Sequence, residues 1–328
     1  MSNIPLISVV IPAKNAAHNI GECLESIRRS TYHNHEVIVV DGDSRDATAE
    51  IARDLGARVV QGSGKSRAED CNIGIREAKG EILAFTDDDC VVDDRWLEYI
   101  VVAFEDPRVG ISGGPDLTYV EKTTPVGLAA GHIHYFYRLL ATNAGADAVI
   151  GCNSAYRKQA VLEARGFEGG LVGAEDTPLH RRILDLGYTM GPHPKAIVYH
   201  KRRSNFGTLI KRYWTYGWHM GQAHRRNPGA FKERRRHIYA LLGGLMVFAL
   251  LAGLNVLFPV LAWAFLALAV SYVLFQFSLH RYLSKKTGFS SPFWVFLEAS
   301  TLCMLLFAVG FAKEQVLHRN LDPQRTEL

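Results

Sequence analysis

"ILAFTDDDCVVDD" spans residues 82–94 and places three consecutive aspartates directly after an apolar run that is typical of a buried strand. Crowded carboxylates repel one another, and burying them costs free energy unless a positive group compensates their charge. One interpretation of the triplet is a polar loop that ends a strand. The other is a site for a divalent cation that also receives an anionic group such as a diphosphate.

The first half of the chain alternates strand-like and helix-like stretches around this segment. The strand-like stretches are "LISVVIPA", "HEVIVVDGDS", "ARVVQG" and "EILAFTDDD", and the helical stretches between them close at Gly56 and Gly80. This alternation predicts an α/β fold with a doubly wound, mostly parallel sheet. Ligands of such sheets bind beyond the carboxyl ends of the strands. Asp41, Asp43 and the triplet Asp87–Asp89 all fall at that edge.

The composition limits the function classes that fit the chain. Its 328 residues allow about two domains. The net charge of +4 is concentrated between Lys201 and Arg236, where eleven Lys or Arg residues face one acid, so the rest of the chain is acidic. Five scattered cysteines without a CxxC pair predict reduced, structural thiols in the cytoplasm, and neither a disulfide framework nor a zinc site.

The C-terminal third is strongly apolar. Residues 238–279 contain no charged side chain, which predicts two membrane helices at about 238–256 and 258–279, and a third apolar stretch covers 292–312. Basic residues flank the pair on both sides, so the positive-inside rule places both ends in the cytoplasm. The alternative is a set of buried core helices. We expect a multi-pass protein of the cell membrane with a cytoplasmic catalytic domain.

A basic and aromatic segment, residues 201–237, precedes the apolar stretches. Within it, "FGTLIKRYWTYGWHMGQAHRR" places apolar residues on one helical face beside lysines and arginines. Such a segment also suits nucleic-acid binding. Beside membrane helices, an amphipathic interfacial helix that contacts anionic headgroups is favoured, and no nucleic-acid partner is expected. The predicted domains are therefore 1–200, 201–237 and 238–328.

Four motifs in order, "VVIPAKN", "VIVVDGDSRDAT", "GKSRAEDCNIGIREAKGEILAFTDDD" and "GAEDTPLHRRILDLGY", resemble family 2 glycosyltransferases with the GT-A fold over about residues 5–225. The resemblance is closest to membrane-attached members that build exopolysaccharides or lipid-linked glycans. It implies an inverting, metal-dependent transferase that moves a sugar from a UDP- or GDP-sugar to a lipid-linked or glycan acceptor at the cytoplasmic membrane face. A polyprenyl-phosphate acceptor is a variant. A non-catalytic membrane scaffold on a transferase fold is the alternative of another class.

The resemblance also implies a donor site. Asp41 would accept from the nucleotide base, although "DGDS" replaces the usual "DDGS" and makes Asp43 less secure than Asp41. Other residues would line the nucleoside pocket, contact the base or diphosphate, or touch the sugar: Pro12, Ala13, Asn15, Lys65, Arg67 and Asn153. For Lys65 and Arg67, an exposed solvated pair is the alternative.

The same resemblance makes the triplet a DxD motif. Asp87 and Asp89 would bind Mg²⁺ or Mn²⁺, and Asp88 would contact the ribose or a metal-bound water. A late histidine, His200, would be a further metal ligand, against the alternative of an ordinary packed histidine.

"GAEDTPLHRR" resembles the ED motif that supplies the catalytic base. Asp176 would take the proton of the acceptor hydroxyl, with Glu175 beside it; an acidic helix N-terminus is the plainer interpretation. A lipid-phosphate acceptor is already anionic and needs no base. Basic and aromatic residues after His200 would bind phosphate or acceptor sugar: Arg202, Arg203, Arg212 and Trp214. The QxxRW pattern of processive relatives is absent. Membrane lipids are expected partners, and the apolar helices also offer a surface for a homo-oligomer.

Overall fold

The computed structural model describes residues 4–143, 149–170, 175–202, 205–226, 243, 262–288 and 290–317. The chain divides into two compact units, one formed by Met1–Tyr119 with Asp147–Lys201 and the other by Val120–Ala146 with Arg202–Leu328. The sequence predicted one continuous domain over residues 1–200. The structure differs, because the segment Val120–Ala146 belongs to the second unit.

The strands are numbered in chain order. They are β1 (Ile7–Ala13), β2 (His35–Asp41), β3 (Arg58–Gln61), β4 (Ile82–Thr86), β5 (Cys90–Val92), β6 (Val109–Gly113), β7 (Asp116–Thr118), β8 (Asn153–Arg157), β9 (Thr189–Met190) and β10 (Val198–His200).

The described helices are numbered in the same way. They are α1 (Ile20–Arg28), α2 (Thr48–Asp54), α3 (Arg67–Glu77), α4 (Trp96–Ala103), α5 (Pro125–Asn143), α6 (Lys158–Glu163), α7 (Asp176–Asp185), α8 (Phe206–Arg226), α9 (Ala262–Thr287) and α10 (Phe293–Leu317).

A seven-stranded sheet in the order β3-β2-β1-β4-β8-β6-β9 forms the centre of the first unit. The strands β3, β2, β1 and β4 are parallel, and β8 runs antiparallel to both of its neighbours. Apolar residues of β4 alternate between the two faces: Ile82 and Ala84 pack in one cluster with α1, α2 and α4, while Leu83 and Phe85 pack in another with α3, α6 and α7. Both faces of β4 are thus covered, which explains its unbroken apolar sequence and confirms the predicted mostly parallel α/β sheet.

The strand register brings the polar ends of β1, β2 and β4 to one edge. Ala13 at the end of β1 pairs with Asp41 at the end of β2, and Val10 pairs with Phe85 of β4. The aspartate triplet that follows β4 therefore lies level with the last residues of β1, as expected for parallel strands.

A small second sheet, β5-β10-β7, is also part of the first unit. Its central strand β10 runs antiparallel to β5 and parallel to β7, and the register pairs His200 with Cys90. Since Cys90 directly follows the triplet, this pairing carries His200 to the end of Asp87–Asp89 across more than a hundred residues of sequence.

The second unit is helical. Its core contains apolar residues of α5, α8, α9 and α10, among them Ile133, Tyr213, Leu283 and Phe296. The buried face of α5 therefore packs with helices that come much later in the chain, which is why the segment does not belong to the domain predicted from sequence continuity.

The predicted amphipathic segment is a helix, α8, but its apolar stripe packs within this unit. Gly217 contacts α10 so closely that a Cβ there would lie 2.1 Å from the Phe307 carbonyl oxygen. Gly310 of α10 meets the Trp214 carbonyl oxygen in the same way, at 2.7 Å from an added Cβ. The helices approach backbone to backbone through these small residues, so much of the stripe expected to face headgroups is occupied by α10.

Among the described residues, one helical segment, Phe293–Glu314, is long and apolar enough to cross a membrane by length and composition. It matches the predicted stretch at 292–312. The helix predicted at 238–256 lies outside the described residues, apart from Gly243. The helix predicted at 258–279 corresponds to α9, which continues to Thr287 through Arg281, Lys285 and Lys286. These charges follow the apolar part of the same helix without a break.

Two helical glycines of the first unit give opposite expectations for the same substitution. A Cβ at Gly74 would lie 2.3 Å from Val10 Cγ1 in the core, whereas a Cβ at Gly21 meets nothing nearer than 3.8 Å. Gly21→Ala should stabilise the fold by up to about 1 kcal/mol through helix propensity. Gly74→Ala should destabilise it by about 1 kcal/mol, because overpacking of about 1–3 kcal/mol exceeds the same gain. Thermal unfolding of the purified protein measures both; a raised midpoint for Gly74→Ala would contradict the packing.

Candidate active site

The aspartate triplet is held by an arginine from the start of α3. Asp87 Oδ1 accepts hydrogen bonds from Arg67 Nε at 3.1 Å and from Arg67 Nη2 at 2.8 Å. Ser66 caps α3 by accepting from the Glu69 backbone N–H, which fixes where the helix begins and therefore where the Arg67 side chain starts. The positive group beside Asp87, the first aspartate of the triplet, is thus an internal arginine.

Arg67 also reaches a second acidic segment. Its Nη1 lies 3.3 Å from Glu175 Oε1, and its Nη2 donates to the Gly151 carbonyl oxygen at 3.0 Å. Burial alone would lower the pKa of the Arg67 guanidinium, but the neighbouring carboxylates, Asp87 first, hold that pKa above its usual range. The alternative of an exposed solvated pair is wrong for Arg67; Lys65 is exposed.

Glu175 and Asp176 lie at the N-terminus of α7. Glu175 is buried, and its Oε2 and the Oδ1 of Asp176 are buried oxygens without a hydrogen-bond partner in the described part of the chain. Burial, and next the charge of Glu175, raise the pKa of Asp176 to about 6. A helix N-terminus favours these acids, but two unpaired buried oxygens exceed what capping needs. They are groups to which a ligand hydroxyl can donate.

Gly151 leaves the space in front of Asp176. A Cβ at Gly151 would lie 2.7 Å from Asp176 Oδ2 and 3.2 Å from Arg67 Nη1. A side chain at this position would therefore push apart the arginine and the carboxylate. The resemblance did not single out Gly151, because its importance follows from a contact between distant segments.

His200 meets the triplet from the small sheet. Its Nε2 lies 3.2 Å from Asp89 Oδ1, and the Lys201 backbone N–H donates to the Asp89 carbonyl oxygen at 3.0 Å. The structure thus brings together the three residues that the sequence nominated as metal ligands: Asp87, Asp89 and His200. Asp88 lies between the two aspartates in the same turn.

The edge that the sequence predicted to receive the nucleoside is built from the ends of β1 and β2 and the loops after them. Asn15 adopts a left-handed backbone (φ 52°), donates its N–H to Ser44 Oγ and accepts from the Arg45 N–H through Oδ1. Asp41 Oδ1 accepts from the Ser44 N–H at 3.3 Å. Pro12 and Ala13 at the end of β1, Asn15 in the loop after it and Asp41 at the end of β2 therefore share one edge, as predicted. Asp43 also has a left-handed backbone (φ 64°).

Asp70 of α3 orders the neighbouring glycine-rich loop and was missed from the sequence. Its Oδ1 accepts from the Ser63 N–H at 2.6 Å and from Ser63 Oγ at 3.0 Å. A Cβ at Gly62 would lie 2.8 Å from the same oxygen, so only glycine fits there. The stretch "GSGKSRAED" contained a signal for this role, because Asp70 lies one helical turn after Ser66, which caps the helix that follows the glycine-rich loop.

The prediction that Asn153 touches the donor sugar is wrong. Its side chain is fully buried, accepts from Trp96 Nε1 at 2.8 Å and donates to the carbonyl oxygens of Pro115 and Ala196. All of its polar atoms are thus used inside the protein. Asn153 joins β8 to α4 and to the segment before β10.

The remaining nominated residues belong to the second unit. Arg212 stacks over the Tyr216 ring, with 4.7 Å between Cζ and the ring centroid. Trp214 lies beside Lys313, whose Nζ is 5.6 Å from the ring centroid. Arg202 is half-buried, and Arg203 lies outside the described residues. Arg212 and Trp214 therefore make their described contacts with other residues of the helical unit.

Sequence comparison shows which family the chain resembles. Residues 8–164 match the model of the family described as glycosyl transferase family 2. A glycosyltransferase of Haloferax volcanii, AglE, is 31% identical over 231 residues, which cover 66% of this chain and 73% of that protein. The O-antigen chain rhamnosyltransferase RfbN of Salmonella typhimurium is 24% identical over 224 residues, which cover 64% of this chain and 71% of that protein.

Solved structures share the fold. The mannosyltransferase PcManGT of Pyrobaculum calidifontis, in complex with GDP-Man and Mn²⁺, superposes with a TM-score of 0.71 at 20% identity and covers 95% of this chain and 88% of its own. The glucosyl-3-phosphoglycerate synthase of Mycobacterium tuberculosis, in complex with Mn²⁺, UDP and glucosyl-3-phosphoglycerate, has a TM-score of 0.51 at 18% identity, over 67% of this chain and 79% of its own. The sheet and the helices that cover it therefore form a GT-A fold.

Removing the Arg67 guanidinium should destabilise the first unit. Arg67→Met leaves the buried Glu175 carboxylate without its cation, which we expect to cost about 2 kcal/mol, below the about 3–5 kcal/mol of fully buried pairs because Arg67 is partly exposed. Arg28→Met is the matched control, since its ion pair with Glu25 is exposed and worth about 0–1 kcal/mol. Thermal unfolding compares them. Equal shifts in the two variants would argue against Arg67 as the link.

Proposed function

Because the chain belongs to glycosyl transferase family 2 and is an enzyme of the glycosyltransferase class, we propose that it moves a sugar from a nucleotide-sugar donor to a lipid-linked or membrane-presented acceptor, with inversion at the anomeric carbon. The observation that carries this proposal is the meeting of two acidic segments on one arginine: Asp87 and Glu175 share the Arg67 guanidinium. A leaving-group site and a base are thereby adjacent.

The donor set at the triplet fits a hard divalent cation. Asp87 and Asp89 offer carboxylate oxygens and His200 offers an imidazole nitrogen 3.2 Å from Asp89, a combination that suits Mn²⁺ and, for the oxygens, Mg²⁺. In our proposal these three residues hold the ion, and Asp88 contacts the ribose or a metal-bound water. When bound, the ion supplies Lewis-acid neutralisation of the diphosphate leaving group.

The donor nucleotide occupies the loops after β1 and β2 in this proposal. Asp41 accepts from the base, and Pro12, Ala13 and Asn15 line the nucleoside pocket. Lys65, exposed at the end of the loop that Asp70 orders, lies on the same edge and neutralises the diphosphate. The PcManGT structure contains GDP-Man and the mycobacterial synthase structure contains UDP, so both bases belong in a donor screen.

Asp176 is the proposed general base. A carboxylate with a pKa of about 6 is mostly ionised at neutral pH yet more basic than an ordinary aspartate, which suits removal of a proton from an attacking hydroxyl. The hydroxyl proton moves to Asp176 while the oxygen attacks the anomeric carbon, and the carbon–oxygen bond to the diphosphate breaks. A single displacement inverts the anomeric centre. Glu175 remains on Arg67 and adds negative charge that keeps Asp176 basic.

The helical unit supports a membrane-bound acceptor. Besides the candidate span at Phe293–Glu314, α9 exposes large apolar side chains over most of its circumference, more than soluble surfaces usually carry. They are Leu266, Leu268, Val270, Leu274, Phe275 and Phe277. We propose that this unit attaches the enzyme to the cell membrane as a multi-pass protein with the catalytic unit in the cytoplasm. Four of its residues bind phosphate or acceptor sugar in this proposal: Arg202, Arg203, Arg212 and Trp214. Its apolar helices form the contact surface of any homo-oligomer.

Asp176→Asn should lower the rate by about 10²–10⁴-fold if the acceptor is a hydroxyl. The wild-type rate should fall as the pH drops through about 6, because Asp176 must be ionised to accept the proton. Asp185→Asn, at the exposed end of the same helix, is the matched control and should leave the rate unchanged. Full activity of Asp176→Asn with a polyprenyl-phosphate acceptor would instead support the phosphate variant, whose nucleophile needs no base.

A donor screen tests the function itself. Detergent-purified protein is incubated with UDP- and GDP-sugars and Mn²⁺ or Mg²⁺, and nucleoside diphosphate release is recorded with and without a membrane lipid extract. We expect release that requires metal, favours one donor, rises with lipid and disappears in Asp89→Asn. No release with any donor, together with no nucleotide binding by the wild type, would contradict the proposal and favour a non-catalytic scaffold.

A further inference from the structure

Two cysteines that are far apart in sequence meet in the first unit. Cys90 is the first residue of β5, and Cys152 lies in the turn that leads into β8. Both are free thiols and both are buried, and their sulfur atoms lie within 4.8 Å of each other. Because 61 residues separate them, no CxxC spacing marks the pair, and the sequence predicted purely structural cysteines.

His200 completes a cluster with the two thiols. The pairing of β10 with β5 sets His200 opposite Cys90, and His200 Nδ1 lies 3.7 Å from Cys152 Sγ. One ligand atom from each of Cys90, Cys152 and His200 lies within 4.8 Å of the ligand atoms of the other two. A fourth donor is near: Asp116 Oδ2 of β7 lies 3.9 Å from the same Nδ1. All four residues are less than a tenth exposed.

The 3.7 Å between Cys152 Sγ and His200 Nδ1 is close to the sulfur–nitrogen separation of a tetrahedral thiolate site. With Zn–S bonds of about 2.3 Å and Zn–N bonds of about 2.1 Å, a tetrahedral ion holds sulfur and nitrogen about 3.6 Å apart and two sulfurs about 3.8 Å apart. The donor chemistry is also selective, since soft thiolates with imidazole favour Zn²⁺, whereas the all-oxygen ligands of the aspartate triplet favour Mg²⁺ or Mn²⁺. The two sites are therefore chemically distinct although they share one histidine.

We propose that Cys90, Cys152 and His200, with Asp116 as the fourth ligand, form a binding site for a thiophilic divalent cation such as Zn²⁺. Binding transfers the two thiol protons to solvent, forms two metal–sulfur bonds and a bond to His200 Nδ1, and involves no change of oxidation state. The ion joins the small sheet, through β5, β7 and β10, to the turn before β8.

Binding at Nδ1 also fixes the other nitrogen of His200. With Nδ1 bonded to the ion, Nε2 carries the hydrogen and donates to Asp89 Oδ1, the histidine–carboxylate arrangement that commonly orients metal-binding imidazoles. In this state His200 is a hydrogen-bond donor to the triplet and not a ligand there. This consequence for the triplet rests on the proposed function, whereas the binding of the soft cation does not.

Cobalt substitution tests the site on the full-length, detergent-purified, reduced protein. Co²⁺ is titrated in the presence of excess Mg²⁺, which saturates oxygen ligands without competing for thiolates, and thiolate-to-cobalt charge-transfer absorption is recorded. We expect the band to saturate at one equivalent and to vanish when Zn²⁺ is added. Cys90→Ser and Cys152→Ser should each weaken cobalt binding by about 10-fold or more.

The controls separate this site from its neighbours. Cys303→Ser removes a buried thiol of the helical unit and should leave both the band and the cobalt affinity unchanged. Asp89→Asn keeps both sulfurs, so the thiolate band should remain, although at higher Co²⁺ because the carboxylate that orients His200 is gone. Wild-type protein that binds Co²⁺ without a thiolate band, or an unchanged cobalt affinity in Cys152→Ser, would overturn the proposal. The wild-type titration decides the matter even where a serine variant fails to fold. Failure of the donor screen with a normal cobalt band would reject the proposed transfer and leave this site standing.

Discussion

One guanidinium holds the candidate active site together. Arg67 spans the gap between the loop after β4 and the start of α7, so that Asp87 and Glu175 lie on the same cation. The triplet, the buried Glu175 and the half-buried Asp176 place five carboxylates in one region. Without Arg67, Asp87 and Glu175 would lose the cation that they share, and burying a carboxylate without a cation is strongly unfavourable. Both acidic segments can coexist because α3 delivers the arginine between them. Gly151 and the Ser66 cap serve the same arrangement, the first by leaving space and the second by fixing the origin of the side chain.

Arg67 does not contact every buried carboxylate oxygen of the site, and the oxygens that it leaves bear on the chemistry. Arg67 satisfies one oxygen of Glu175 and one oxygen of Asp87, while Glu175 Oε2 and Asp176 Oδ1 keep no partner among the described residues. Buried oxygens of this kind normally find a hydrogen bond. The pKa of Asp176 is raised because burial disfavours the charged carboxylate and, next, because Glu175 adds a neighbouring negative charge. Arg67 thus stabilises the burial of these carboxylates, but it leaves two of their oxygens able to accept a hydrogen bond from a ligand.

Local sequence signals predicted most of the sheet and much of its polar edge. Apolar strands ending in aspartates located β1, β2 and β4 and the residues Asp41 and Asp87–Asp89, because parallel strands end at one edge. What failed depended on contacts between distant segments. Asn153 looked available for a sugar but is consumed by Trp96 and two carbonyls, and no sequence pattern reveals that burial. The assignment of α5 to the helical unit and the meeting of Cys90 with Cys152 are of the same kind. The resemblance to a family identified His200 and Asp176, whereas periodicity alone would not have selected either.

His200 shows how one strand pairing couples two kinds of chemistry. The antiparallel register of β10 on β5 sets the ring between Asp89 and the thiol pair, so its two nitrogens face different donors: Nε2 faces a carboxylate, and Nδ1 faces Cys152 and Asp116. A neutral imidazole has one hydrogen and one lone pair, so the two faces compete for its tautomer. With the lone pair on Nε2, His200 can bind an ion at the triplet; with the lone pair on Nδ1, it can bind an ion at the sulfurs and only donate to Asp89. Occupancy of either proposed site by a cation would therefore change what His200 offers to the other. This coupling needs no movement of the backbone, because a proton on a single ring is the element that has two states.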